Sequence, residues 1–434
     1  MSLDRFGGWA GVTSRATGFF RVEEIDGRWW FIDPDGNAFI SIGVNHCSSR
    51  SLQMPWNKQI YEEKYGNDAV FFKEVEKILR DWNFNTIGAF SNYREYVGPD
   101  GMPYAFNLRP DDFAISRWQP VYGRRTKTWH FPDVFSEEWT KTVEENVKPL
   151  CIKHKNDPLL IGYHFVDIPC WEQVTLWADT IIKNRDTPGK RTYVDLMKER
   201  YSDIREWNLV HATNYKDFDD LLEDNDPHKR DVPSWAGRVD RPRIIEDDIA
   251  FLGLIASRYY HVLGETFRRY DPNHLILGDR FDGNEGVPDI VLRSMGEYVD
   301  VLSIQYYPVD HYRNYGSHNA LISDYQKIAK KPVFLADSAF SVSCETMPST
   351  MGPLVSDQYE RGRKYTEYFR NIFSIPFVIG WCWCGYIDSN LKTEPLWQHS
   401  GLKNELDEPY IECVDQIRRT NKTLYEVASK ANRL

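Results

Sequence analysis

The chain has 434 residues and a formal net charge of −11 at pH 7. That charge, with no basic stripe along the chain, argues against binding a phosphate backbone, and no apolar stretch reaches membrane-spanning length. The seven Cys are an odd number without metal-type spacing, which demands neither a disulfide framework nor a metal knuckle. The length exceeds the about 250 residues of one (β/α)8 barrel, so insertions or a small accessory element are expected. Aromatic residues make up 15 % of the chain, enough for a larger aromatic core or for rings that stack on flat sugar faces. No internal repeat or low-complexity tract stands out. The opening MSLDRFGG has no signal-peptide h-region, which leaves the compartment undecided between the cytoplasm and a form whose leader has been removed.

Residues 19 to 40 read as a β-hairpin and its continuation. RVEEI and RWWFI flank Asp26-Gly27, and Asp33-Pro34-Asp35-Gly36 makes the next turn. This unit, residues 1–36, is expected to plug the bottom of a barrel that occupies 37–434. The first barrel strand is Phe39 to Val44, ending in Asn45-His46, and the helix after it carries Val75, Ile78, Leu79 and Trp82 on one face. The second strand is Phe84 to Phe90 and the third, weaker, Met102 to Leu108. A long loop to about residue 132 follows, with Trp118, Tyr122, Arg124, Arg125, Trp129 and His130, a length and content that favour a functional loop. Ser136 is the expected N-cap of a helix that aligns Trp139, Val143, Val147 and Leu150.

The strongest strand lies in PLLIGYHFVDIPCW, 158 to 171. Its continuous apolar run reads as a strand buried on both faces, it ends at Asp167, and Pro169 stops the ladder. Residues 172 to 250 break the pattern. They are charged, partly helical, carry the acidic run Asp217 to Asp226, and read as a helical insertion between strands four and five. A helix from about Phe251 to Tyr270 leads to strand five, His274 to Gly278, which delivers Asp279, Arg280 and Asp282. Strand six, Val299 to Gln305, delivers Tyr306 and Tyr307. Strand seven, Pro332 to Ala336, delivers Asp337. Strand eight, Phe377 to Trp383, delivers Trp381, Trp383 and Asp388, with Cys382 and Cys384 as small core or rim residues; one helix, 410 to 429, closes the chain. Short buried strands alternating with helices predict an α/β fold, a (β/α)8 TIM barrel.

Catalytic side chains of such barrels sit at the C-terminal ends of the strands. Asp167 after strand four and Asp337 after strand seven form a carboxylate pair, the minimum kit for glycoside hydrolysis: one group protonates the leaving oxygen, the other attacks carbon or activates water. The plain alternatives are an N-cap or turn role for Asp167 and a structural partner of Arg280 for Asp337. Trp171, Tyr306, Tyr307, Trp381 and Trp383 are candidates to line the cleft, with barrel core the alternative for about half of them. Asn45, His46 and Arg280 are candidates for substrate contacts, and Glu172 is a rival acid, with Glu285 and Glu345 weaker rivals. HExxH, Cys/His clusters, P-loop, GxGxxG and GxSxG are all missing, so the sequence offers no motif for a metal, a nucleotide cofactor or a serine hydrolase. A carbohydrate is the expected partner.

Eight stretches carry a family resemblance: GRWWFIDPDGNAFISIGVNH (27–46), WNFNTIGAF (82–90), FPDVFSEEW (131–139), DPLLIGYHFVD (157–167), RRYDPNHLILGDRF (268–281), YVDVLSIQYY (298–307), KPVFLADSAF (331–340) and SGLKNELDEPY (400–410). Together they resemble the (β/α)8 glycoside hydrolases with catalytic carboxylates after strands four and seven, and most of all the β-agarases of family 50. The resemblance implies an Asn-Glu pair after strand four, with the Glu as acid/base, and a nucleophilic Glu after strand seven. Here Ile168 and Pro169 follow Asp167, and Asp337 is followed by Ser338, so both implied glutamates are replaced. Three readings stay open: the aspartates do the chemistry with altered spacing, Glu172 supplies the missing acid, or the barrel binds glycans without cleaving them.

Overall fold

The computed structural model describes residues 2–108, 132–169, 171, 186–224, 242–284, 286–307, 318–343, 353–388 and 400–430. Eight parallel strands close into a barrel: β5 (Ser41–Asn45), β6 (Thr86–Ile87), β7 (Tyr104–Asn107), β8 (Leu160–Asp167), β9 (Leu275–Asp282), β10 (Leu302–Gln305), β11 (Val333–Ser338) and β12 (Val378–Cys384), with β12 pairing back to β5. In β8 every residue but the terminal Asp167 is buried, as its unbroken apolar run requires of a strand covered on both faces. Ahead of the barrel, β1 (Trp9–Thr13), β2 (Arg21–Ile25), β3 (Arg28–Ile32) and β4 (Asn37–Phe39) form an antiparallel sheet in the order β1-β4-β3-β2.

That sheet lies against the strand beginnings. Trp29 N donates to Pro376 O at 2.8 Å. The buried Arg28 guanidinium donates to Ile375 O and Val378 O at 3.3 and 3.1 Å, and Phe31 meets Phe334 edge-on at 6.2 Å. The N-terminal end of the barrel is thereby covered, and the C-terminal rim is left for a site.

Several boundaries differ from those expected. Phe39 belongs to the N-terminal sheet, and the first barrel strand starts only at Ser41. Strands β9, β11 and β12 run on past Gly278, Ala336 and Trp383, because their polar C-terminal residues stay in the ladder: Asp167 lies opposite Arg280, Gln305 opposite Asp337 and Cys384 opposite Asn45. Interior hydrogen bonds satisfy those side chains, so polarity does not end the strand as a sequence pattern suggests. The helix before β9 starts at Pro242 rather than near Phe251. Its first turns bury Asp247 and Asp248 beside Ile244, and buried charge hides the apolar stripe.

Three described helices of the inserted stretch, Pro188–Arg200, Ile204–His211 and Phe218–Glu223, precede it. Asp247 ties this region to the long helix, with Arg200 Nε at 2.6 Å, His211 Nε2 at 2.9 Å and the Tyr201 hydroxyl all on its carboxylate. Ser136 caps Glu137–His154 as expected, accepting from Trp139 N at 3.0 Å. The final helix is two, Ile411–Asn421 and Leu424–Lys430. Among the described residues no helix is long and apolar enough to cross a membrane.

Candidate active site at the C-terminal rim

Arg280 organises the rim. It sits inside the barrel near the end of β9, wholly buried. Its Nη1 donates to Asp167 Oδ1 at 2.7 Å, and its Nη2 donates to Asp337 Oδ2 at 3.1 Å and to Ala336 O at 3.0 Å. The guanidinium also lies 5.1 Å from the centre of the Phe90 ring. Burial alone would pull Arg280 down, but the charges of Asp167 and Asp337 carry it above its ordinary value. One cation thus joins the two carboxylates expected from the sequence.

Each carboxylate also has its own amide donor. Gln305 Nε2, from the end of β10, donates to Asp167 Oδ1 at 2.6 Å. Asn45 Nδ2, from the end of β5, donates to Asp337 Oδ1 at 3.0 Å and to Ala336 O at 2.8 Å, while its Oδ1 accepts from Ala89 N at 2.8 Å. Gly88 makes this seat for Asn45: a Cβ there would fall 2.0 Å from Asn45 Oδ1.

The two acids differ in exposure. Asp167 is half-buried, whereas Asp337 is only 4 % exposed. Burial pushes the Asp337 carboxyl up to about 6; Arg280 and Asn45 oppose that rise and the Asp167 charge adds to it. The Cys384 thiol faces the Asp337 carboxylate, and the Tyr307 hydroxyl faces the Cys384 sulfur. Beneath them His164 stacks on Phe334 at 5.7 Å. Burial, with the Arg280 charge beside it, holds His164 well below its usual range and therefore neutral.

Backbone strain collects at the same rim. His46, Phe90 and Ile168 have φ of 55°, 59° and 47°. A β-branched residue such as Ile168 rarely takes this region, and such strain clusters at functional sites. The His46 ring stacks on Phe90 at 5.0 Å, 17° from parallel.

Of the candidates read from the sequence, Asn45, His46, Asp167, Arg280, Asp337 and Tyr307 come together here. Tyr306 is half-buried beside them, its backbone N donating to Asp337 O at 2.9 Å. Three aromatic candidates lie elsewhere. Trp381 and Trp383 are each 1 % exposed. They pack under the helix Gln358–Phe373, with Tyr365 4.7 and 5.5 Å from their rings. The Trp381 indole donates to Ser338 Oγ, and that of Trp383 donates to Ser400 O at 2.7 Å. The cause is strand alternation: Cys382 and Cys384 take the interior face of β12, so both Trp must face outward. Trp171 is buried against the long helix, stacked on Tyr260 at 5.6 Å, and does not line the rim.

Asp279 likewise faces outward, accepting from Tyr260 Oη at 2.5 Å and Val166 N at 3.0 Å. Asp388 is buried, accepting from Gly401 N and Tyr410 Oη, both at 2.7 Å. Glu172, Glu285, Glu345 and the loop residues Trp118, Tyr122, Arg124, Arg125, Trp129 and His130 lie outside the described residues. Sequence reasoning missed Gln305, although an amide residue closing the run VDVLSIQ was a usable signal.

No protein-family model matches the chain. In sequence it is 24 % identical to β-agarase B of Vibrio sp. (strain JT0107), over 98 % of its own length and 50 % of that protein. The chain is similar to the family 50 β-agarases. The solved structure of PfGH50B superposes with a TM-score of 0.81 at 21 % identity, covering 98 % of this chain and 69 % of the other. That of an exo-β-agarase gives 0.81 at 19 %, covering 98 % and 68 %. Both solved structures share the fold of this chain, and the chain spans about half the length of the curated relatives it matches.

Proposed function

We propose that the chain is a glycoside hydrolase acting on a galactan-type, agarose-like poly- or oligosaccharide, with Asp167 and Asp337 as its carboxylate pair. The observation that carries this reading is the convergence of the two acids, from β8 and β11, on the single guanidinium of Arg280. Similarity to β-agarase B supports the substrate class. Asp167, the more exposed group, acts as general acid/base on the glycosidic oxygen. Asp337, held by Arg280 and Asn45 on the inner side, acts as nucleophile or as base toward water. A carboxyl separation of about 5 Å makes the reaction retaining, and one of about 6.5–9.5 Å makes it inverting.

A second reading, a glycan-binding barrel without turnover, is favoured by one observation: Arg280 is already paired with both acids, and Asp337 is nearly closed to solvent. Reducing-sugar release from agarose, agaro-oligosaccharides and a panel of other plant and algal glycans separates the two. Release by the wild type, lost in Asp167→Asn and in Asp337→Asn with binding retained, is the expected result. Full activity in either variant removes that residue from the pair. Absence of release together with thermal stabilisation by one of the glycans moves the assignment to the binding barrel.

A further inference from the structure

The rim holds a second constellation that no sequence spacing announced. His46, Asp337 and Cys384, from the ends of the neighbouring strands β5, β11 and β12, offer an imidazole nitrogen, a carboxylate oxygen and a thiol sulfur that all lie within 4.8 Å of one another. We propose that these three side chains bind a divalent transition metal of the zinc class, with the fourth position open to the mouth of the barrel.

The donor set suits a borderline-soft ion. Zinc takes thiolate, imidazole and carboxylate at about 2.0–2.3 Å, and sites with three protein ligands keep a place for water or another ligand. His46, its ring stacked on Phe90, is the partly exposed member and stands beside the two buried ones. Outer partners are in place. Asn45 and Arg280 donate to the two oxygens of Asp337 and fix the carboxylate plane, and the Tyr307 hydroxyl faces the Cys384 sulfur. Metal binding releases the Cys384 proton to solvent, and among the described residues a divalent cation together with Arg280 then balances the charges of that thiolate, Asp167 and Asp337.

Metal at this position occupies the Asp337 carboxylate, so metal binding and glycoside hydrolysis through Asp337 exclude each other. Binding itself does not depend on the hydrolase reading, and its test needs no substrate. Protein dialysed against chelator is titrated with Zn²⁺ by calorimetry, and with Co²⁺ as a spectroscopic probe. One equivalent per chain is expected, with thiolate-to-cobalt charge-transfer absorption. Cys384→Ser is expected to abolish that absorption, and both Cys384→Ser and His46→Gln to weaken Zn²⁺ binding at least about tenfold. His46→Gln keeps the thermal unfolding of the wild type, which separates lost ligation from lost fold. Folded wild type that takes up no Zn²⁺, or uptake and absorption unchanged in both variants, overturns the proposal.

Discussion

Replacing Arg280 by Met tests the architecture of the rim most directly. The side chain is wholly buried and is the cationic partner of both Asp167 and Asp337. Without it, Asp337, 4 % exposed, keeps Asn45 as its amide donor, while Asp167, its side chain 15 % exposed, keeps Gln305. Removing one member of a buried ion pair costs about 3–5 kcal/mol, because the remaining charge is stranded. Asp337 can relieve part of that by taking a proton. Its carboxyl already lies at about 6, and each unit by which it falls short of the solution pH costs about 1.4 kcal/mol. The expected loss is therefore about 3 kcal/mol at pH 7 and smaller at pH 5. Denaturant unfolding followed by Trp fluorescence measures it, and the double variant with Asp337→Asn closes the cycle, with a coupling of about 1–3 kcal/mol expected. A loss below about 1 kcal/mol at pH 7, or an equal loss in the Asp337→Asn background, refutes the bridge as a coupled unit.

Gly88→Ala is expected to displace the Asn45 amide, whose Oδ1 stands 2.0 Å from the added carbon, and to lower glycan turnover by more than it lowers the unfolding midpoint; unchanged kinetics would show that Asn45 does not position Asp337. Trp383→Ala is expected to cost about 3–5 kcal/mol of stability through lost core packing, while a milder Trp383→Phe leaves glycan affinity unchanged in a binding titration, since the ring faces the helices. Asp247 supplies a pH test. Burial pushes its carboxyl up, but bonds from His211, Tyr201 and Arg200 carry it below the ordinary value. A depressed carboxyl contributes stability that is present above the unfolded value of about 4 and is lost as pH falls through the folded one. Thermal unfolding should thus show Asp247→Asn destabilised at neutral pH, with the deficit shrinking below about pH 4; a pH-independent deficit would contradict the assignment.

Much of the rim was legible residue by residue. Apolar runs that stop at a charged or amide residue located Asp167, Asp337 and Asn45, because a buried strand tolerates such groups only where they find partners. What misled was direction. Strand β12 reads WCWC, and nothing in that string says which pair faces the interior. Bulk and aromaticity point the two Trp toward the cleft, yet the barrel's narrow interior takes the two Cys, and the helix layer outside takes the two Trp. Trp171 failed for a related reason: its place beside the last residues of β8 could not reveal that Tyr259 and Tyr260 of a distant helix would enclose it.

The sequence by itself determined the order of strands and helices, the antiparallel element ahead of the barrel and the acids at two strand ends. These follow from local periodicity, turn chemistry and chain order, which need no knowledge of distant neighbours. Only the tertiary structure decided how those acids relate. Closing eight strands brings Asp167, Arg280 and Asp337 within hydrogen-bonding range across 113 and 57 positions of chain, and sets His46 and Cys384 beside Asp337. Strand pairing, burial and charge balance fix such contacts together, and all three are properties of the closed barrel rather than of any segment within it.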